Sequence, residues 1–391
     1  MIPISVFGLD LHSPKYVIYD KTDNKLLLEK EKDTETAIAS LTKIMSALVI
    51  IEEEKNLEKE VVVTNQMLRE VPWDAYVIHL VPNTTYTYKD LLYGTILPSA
   101  ADCITALAID NAGSVSSFVE KMNQKAQIIG LKNTHFTNPI GMDHKENKAT
   151  LQDTLKLLLY ALDNPTFKEI YMTKEYQMTT GKIVYSSLKM YSEKLGLDTS
   201  RILGAKTGAT GEAGLALSQI FQSNNHEIIS ITVGAENTKD SFHIRDGLSI
   251  IQYMDTHYSE KVLLGKNKIQ KQIPVEKSTI HSVTISNQKE IKKYLPNDFH
   301  SEDFKIQYDL PEKIDYKSPK KIGRIKYYYQ EELIDSEIVE IQEKIEPTIV
   351  ERIKTSIWTP ILLSMILFGM IVFIIKKTIK NNRIKIEKHM I

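Results

Sequence analysis

The chain is 391 residues long and carries 49 lysines and arginines against 50 aspartates and glutamates. That length exceeds what one hydrophobic core usually serves, so two domains are expected, and the near balance of charge speaks against a dedicated nucleic-acid binder. A single cysteine, Cys103, excludes a disulfide within the chain, which suits either a reducing cytosol or a secreted protein large enough to need no cross-link.

Residues 1–18 show no basic segment followed by an apolar core, so no export leader is read there, and Tyr16 to Tyr19 reads as strand. Lys15 to Asp20 and Lys25 to Glu29 predict two strands around a Lys21-Thr22-Asp23-Asn24 turn, a hairpin that opens the fold. Next, Ala39-Ser40-Leu41-Thr42-Lys43-Ile44-Met45 begins a predicted amphipathic helix. Its buried face is Leu41, Ile44, Met45, Leu48 and Val49, with Ser40 and Lys43 beside that face. A separation of three stacks two helical side chains roughly 5–6 Å apart at Cβ, so the lysine amine can reach the serine hydroxyl. Serine needs an adjacent base to become a nucleophile, and lysine becomes one when burial and neighbouring cations lower its pKa. The same serine also suits a helix N-cap, and S-x-x-K alone is a common pattern.

Between residues 53 and 200 the pattern is mainly helical. Asp90 to Leu97 and Asp102 to Asn111 predict two helices joined by Leu97-Pro98-Ser99-Ala100-Ala101, which puts Ser99 on a turn where it either faces a cleft or caps the second helix. Asn138-Pro139-Ile140-Gly141 reads as a turn. Strand pattern returns at Ile202 to Ala209, Ala213 to Phe221 and Glu227 to Val233, the last two a hairpin around residues 222–226. Asp240 to Tyr258 predicts a closing helix. A sheet built from both ends of this region thus holds an inserted helical lobe. Lys206-Thr207-Gly208 lies on a strand edge, where solvated lysines are usual, and the glycine permits close approach of a ligand or another backbone.

Residues 259–345, with short β-rich runs and scattered prolines, predict a small second domain, and 346–356 a charged amphipathic linker. From Ile357 to Ile375 there is no charged residue, and a helix of that length spans roughly 28 Å, close to a bilayer's hydrocarbon thickness. Trp358 stands at its leading edge, and a basic tail at 376–391 follows, which assigns the tail to the cytoplasm and everything before it to the outside.

In this order, Ser40-x-x-Lys43, Ser99-x-Ala101 and Lys206-Thr207-Gly208 resemble the triple signature of penicillin-recognising serine enzymes. Together with Asn138-Pro139-x-Gly141 and Glu212-Ala213-Gly214, these words look like the low-molecular-mass penicillin-binding proteins that are serine-type D-alanyl-D-alanine carboxypeptidases, over nearly the whole chain.

The resemblance implies an α/β (α+β) β-lactamase/transpeptidase-like domain at 1–258, an antiparallel sheet with an inserted helical lobe. A β-rich domain and a C-terminal transmembrane helix would follow. It implies that Ser40 attacks the bond between the terminal D-alanines of a peptidoglycan stem peptide, that Lys43 is the general base and that Ser99 relays a proton to the leaving amine. Lys206, Thr207 and Gly208 would bind the terminal carboxylate, with Lys206 holding Lys43 neutral by repulsion. The backbone N–H groups of Ser40 and Ala209 would form the oxyanion hole. β-Lactams would be covalent inhibitors, and no cofactor or metal is implied; the histidines, His135 included, show no H-E-x-x-H spacing. One departure stands out: the family usually has asparagine where this chain has Ala101, so either Asp102 or another polar group compensates or the acylation rate differs. Two other readings share the motifs, a membrane-anchored wall-binding pseudoenzyme and a β-lactamase, the latter lacking an E-x-x-L-N match.

Overall fold

The computed structural model describes residues 9–356 and 358–388. Ile357, the first residue of the expected membrane span, and the last three residues of the expected tail lie outside the described residues, as do residues 1–8. The chain divides into two units, one reaching Glu260 and including Tyr294–Asn297, the other holding Lys261–Lys293 and the residues from Asp298 onward.

In the first unit, β1 (Lys15–Asp20) and β2 (Lys25–Lys30) pair as the expected hairpin. A 3₁₀ turn at Ala39–Leu41 runs directly into α1 (Thr42–Glu53). There follow β3 (Glu60–Val63), α2 (Asn65–Arg69), β4 (Thr84–Thr87), α3 (Tyr88–Ile96), α4 (Ala101–Ala112), α5 (Val115–Ile129), α6 (Leu151–Leu162) and α7 (Pro165–Met172). The ribbon β5 (Glu175–Gln177) and β6 (Ile183–Tyr185) and then α8 (Ser187–Leu195) complete the helical lobe. Three long strands, β7 (Ile202–Thr210), β8 (Gly214–Ser223) and β9 (His226–Ala235), precede α9 (Phe242–His257).

The strands form one antiparallel sheet in the order β2-β1-β9-β8-β7, so the chain's start and the end of the unit share a sheet and everything between is inserted. Asn224 and Asn225, with φ of 48° and 67°, make the tight β8–β9 turn, the left-handed pair that matches strand twist. Alternation sorts the side chains: Val17, Ile229 and Ile231 pack with the helical lobe, whereas Tyr16, Ile18 and Ile228 pack with Ile244, Ile250 and Met254 of α9.

β10 (Tyr258–Leu264) leaves the first unit after Glu260, and the second unit holds β11 (Lys271–Glu276), β12 (Ser282–Ile285), the first half of β13 (Ile291–Pro296), β14 (Phe304–Asp309), β15 (Ile314–Asp315), β16 (Lys321–Tyr329) and β17 (Glu332–Glu340). Its three-stranded sheets, β12-β11-β15 and β14-β16-β17, enclose Ile273, Val283, Ile325 and Tyr327. α10 (Ile349–Thr355) is capped by Thr348, whose side chain accepts from Glu351 N–H. α11 (Trp358–Lys388) is long and apolar enough over Trp358–Asn382 to cross a membrane. It runs past the expected end at Ile375, because lysines and asparagines placed after an apolar run are no barrier to helix propagation.

Helix α1 departs from the amphipathic expectation. Every residue from Thr42 to Ile51 is buried, Lys43 included, because α3 to α7 surround it. The 3₁₀ turn before it is clamped by two glycines. A Cβ on Gly141, whose φ is +83°, would fall 2.0 Å from the Ala39 carbonyl oxygen, and one on Gly208 would lie 3.0 Å from Ser40 N. We therefore expect Gly141→Ala to cost at least about 2 kcal/mol, from the left-handed backbone and the overlap together. Urea unfolding of the two proteins measures it; an unchanged midpoint would contradict the clamp.

Candidate active site

Ser40 occupies the middle of the 3₁₀ turn, and Lys43 the second residue of α1, so the three-residue spacing places Lys43 Nζ 3.0 Å from Ser40 Oγ. Ser40 is not an N-cap: the caps of the 3₁₀ turn and of α1 are Ile38 and Leu41, neither with a side-chain capping bond. Lys43 Nζ donates to the Ile140 carbonyl oxygen at 2.7 Å, which fixes the amine and leaves its remaining valence for the serine. The loop that presents Ile140 is tied by Asn138, whose Oδ1 accepts from the backbone N–H of Ile140, Gly141 and Met142, and by Ser46 Oγ donating to Pro139 O at 2.7 Å. The Asn-Pro-x-Gly turn therefore holds the partner of the Lys43 amine as well as changing the chain's direction.

Burial lowers the Lys43 pKa to about 7, with the Cys103 thiol acting weakly the other way. Lys206 is buried and lowered well below the ordinary lysine value, by desolvation first and by Lys43 second. The lowering of Lys43 thus comes from burial, and repulsion from Lys206 is not among its causes.

Ser99 sits on the turn between α3 and α4 with φ of +70°. The turn holds this strained geometry through Ala100 N–H to Gly94 O, 3.0 Å, and Ala101 N–H to Tyr76 O, 2.8 Å. Ser99 does not cap α4, whose N-cap is Ala100, and its buried Oγ has no hydrogen-bond partner among the described residues. Asp102 does not stand in for the missing asparagine. Its carboxylate accepts from the backbone N–H of Ile78 at 3.3 Å and of Leu80 at 3.0 Å, and so secures the 78–80 loop. Ala101 itself is buried.

Strand β7 is the sheet's edge and carries the third motif. Its lysine is not solvated: Lys206 is 1% exposed and its Nζ donates to Thr207 O at 2.9 Å. The Thr207 and Ser187 hydroxyls lie 2.5 Å apart, so the start of α8 reaches the strand. Ser40, Ser99, Thr207, Gly208 and Ala209 converge on one cleft of about 180 Å³, and the buried Lys43 and Lys206 are not among its lining residues.

The cleft is also lined by residues the sequence did not single out: Tyr76, Ser187, Tyr191, Ser241 and His243. His243, 3% exposed, packs edge-on against Tyr191, and burial lowers its pKa to about 4, partly offset by Asp246. Nothing in local spacing marks these positions, since Ser187 and Tyr191 come from α8, Ser241 and His243 from the start of α9, and Tyr76 from the segment between α2 and β4. Elsewhere, Asp20, Asp23 and His226 bring possible ligand atoms within 4.8 Å of one another. Asp20 spends its oxygens on Thr22 N, Asp23 N and the His226 ring, and Asp23 accepts from Tyr294 N, so the cluster is bonded within the fold.

A serine hydroxyl held against a buried lysine of lowered pKa, beside a second serine and an edge strand, is the arrangement that acyl-transfer serine chemistry needs. The profile of the D-alanyl-D-alanine carboxypeptidase family matches residues 4–237, and the chain belongs to that family of serine-type hydrolases. It is 28% identical over 273 residues to D-alanyl-D-alanine carboxypeptidase DacF of Bacillus subtilis, covering 67% of each chain. It is 30% identical over 231 residues to DacA of Haemophilus influenzae, covering 57% of each. Among solved structures it is similar to penicillin binding protein 5 from Haemophilus influenzae, with a TM-score of 0.62, 25% identity, and coverage of 87% of this chain and 99% of the other. It is also similar to the Streptomyces K15 DD-transpeptidase, with a TM-score of 0.56, 27% identity, and coverage of 62% and 97%.

With Lys43 as the base, acylation of Ser40 should require the neutral amine. Stopped-flow acylation by a penicillin should rise about tenfold per pH unit on the acid side and level off above about pH 7. A rate that stays flat between about pH 5 and pH 8 would contradict this assignment.

Proposed function

We propose that the chain is a serine D,D-carboxypeptidase that removes the terminal D-alanine from peptidoglycan stem peptides and is acylated by β-lactams at Ser40. The observation that carries this reading is the 3.0 Å approach of Lys43 Nζ to Ser40 Oγ in a site where burial brings the lysine pKa to about 7. The curated relatives carry the same activity in their names, and the chain spans about two thirds or less of their length.

In the proposed cycle Lys43 takes the Ser40 proton as Oγ attacks the penultimate D-alanine carbonyl. The backbone N–H groups of Ser40 and Ala209 stabilise the oxyanion, an arrangement in which one lost donor typically costs about 100–1,000-fold. Ser99 passes a proton to the departing amine, so free D-alanine leaves and an ester remains on Ser40. Water, activated by the same lysine, hydrolyses the ester and restores the hydroxyl. Thr207 and Gly208 bind the substrate's carboxyl end on the β7 edge, and Lys206 supplies positive potential from behind it when the anion binds. The first unit is the catalytic domain, the β-rich unit carries it, and α11 anchors it with the basic end in the cytoplasm and the cleft on the wall side.

Ser40→Ala should abolish labelling by a fluorescent penicillin and D-alanine release from diacetyl-lysyl-D-alanyl-D-alanine. Lys43→Ala should slow acylation by about 100- to 10,000-fold. Release by wild type no greater than by Ser40→Ala would overturn the function. A chain ending before residue 346 should move from the membrane fraction to the soluble fraction, and retention of its partitioning would contradict the anchor.

A further inference from the structure

The β-rich second unit has a cavity of its own, of about 310 Å³. It is lined by residues 283–286 and Gln288, from β12 and the turn after it, and by residues 337–343, from the end of β17 onward. Successive side chains of a strand point to opposite faces, so a cavity against one face of a sheet takes every second residue. This one takes every residue of both runs, and therefore looks onto strand edges, where backbone N–H and C=O groups lie. Both strands are terminal in their sheets, β12 in the order β12-β11-β15 and β17 in the order β14-β16-β17. Neither has a strand on its outer edge among the described residues, and such an edge is a template for pairing with another chain.

The chemistry of the lining selects what would pair there. Val283, Ile285, Val339 and Ile341 are buried in the core of the unit, whereas Ile338 and Glu340 alternate with them and are exposed. No lysine, arginine or histidine lines the cavity, but Glu337, Glu340 and Glu343 do. The Tyr327 hydroxyl and the Gln288 N–H, at 3.0 Å, hold Glu337 and leave its charge in place. Glu340 has Lys321 at 3.5 Å, and Glu343 has no ion pair among the described residues. Like charges opposite one another across a strand pair are destabilising, so this edge repels a second copy of itself and attracts a basic strand.

We propose that the outer edge of β17 is a docking site for an extended segment of another protein, one in which apolar residues alternate with lysines or arginines. The segment adds to the sheet as a strand: its backbone pairs with the β17 edge, its apolar side chains continue the row of Val339 and Ile341, and its basic side chains lie on the face of Glu340. The inference concerns the β-rich unit and does not depend on the chemistry at Ser40.

The test titrates the full chain in detergent with a fluorescein-labelled peptide of alternating valine and lysine, read by fluorescence anisotropy. This peptide should bind at least about tenfold more tightly than one with glutamate at the lysine positions. It should also outbind, by at least about tenfold, the same lysine peptide N-methylated at alternate backbone nitrogens, which keeps the charge but loses the backbone donors. Glu340→Lys combined with Glu343→Lys should abolish the preference for lysine over glutamate while leaving penicillin labelling of Ser40 unchanged. Amide hydrogen exchange at residues 337–343 should slow when the lysine peptide is bound. Equal binding of the N-methylated peptide, or slowed exchange confined to other segments, would overturn strand addition. Exchange at 337–343 that slows with protein concentration alone would assign the edge to a second copy of the chain and overturn the basic partner.

Discussion

Removing the Lys43 ammonium from water is the constraint on which the site depends. A lysine on a helix surface is a solvated cation and cannot accept a proton from serine at neutral pH. Here helices on all sides strip the amine of water, and burial alone brings its pKa to about 7. The Ile140 carbonyl then fixes where the amine sits, and Asn138 and Ser46 fix the carbonyl. Thus the core of the helical lobe lowers the pKa of this amine, and the loop that carries Ile140 fixes its position.

The cleft also stores backbone strain. Ala39, Ser99 and Ser241 all have positive φ, at 48°, 70° and 48°, and each stands at or next to a residue that lines the cleft. Non-glycine residues in this region cost about 1–3 kcal/mol each and persist only where surrounding structure imposes them. Around Ala39 the imposing contacts are the close approaches of Gly141 and Gly208, and around Ser99 the two backbone bonds to Gly94 and Tyr76. The strained turns let a helix start, an interhelical turn and a sheet edge converge on one small cavity.

Much of this was legible in the sequence. The opening hairpin, the helices around Ser99 and the three closing strands follow from alternation and turn residues, and their order alone implies a sheet interrupted by a lobe. The Ser40–Lys43 spacing encodes their meeting because both lie within one helical turn. What could not be read is what depends on distant packing. The pattern around Leu41 marks one apolar face, while the neighbours that bury Lys43 come from α3 to α7. Asp102 looks free to replace an asparagine until the 78–80 loop folds onto it. His243 is one histidine among 10 until α9 carries it to the cleft wall. The apolar run predicts a span, but its helix extends on to Lys388 because charge ends a membrane segment without ending a helix.

The chemistry proposed for Ser40 depends most directly on the protonation state of Lys43 before any substrate binds. A ¹⁵N-detected NMR titration of the lysine side chains, with Lys43 assigned through Lys43→Arg, reads that state. The Lys43 amine should titrate at about pH 7. An amine that stays protonated up to about pH 10, the range of a solvated lysine, would contradict it.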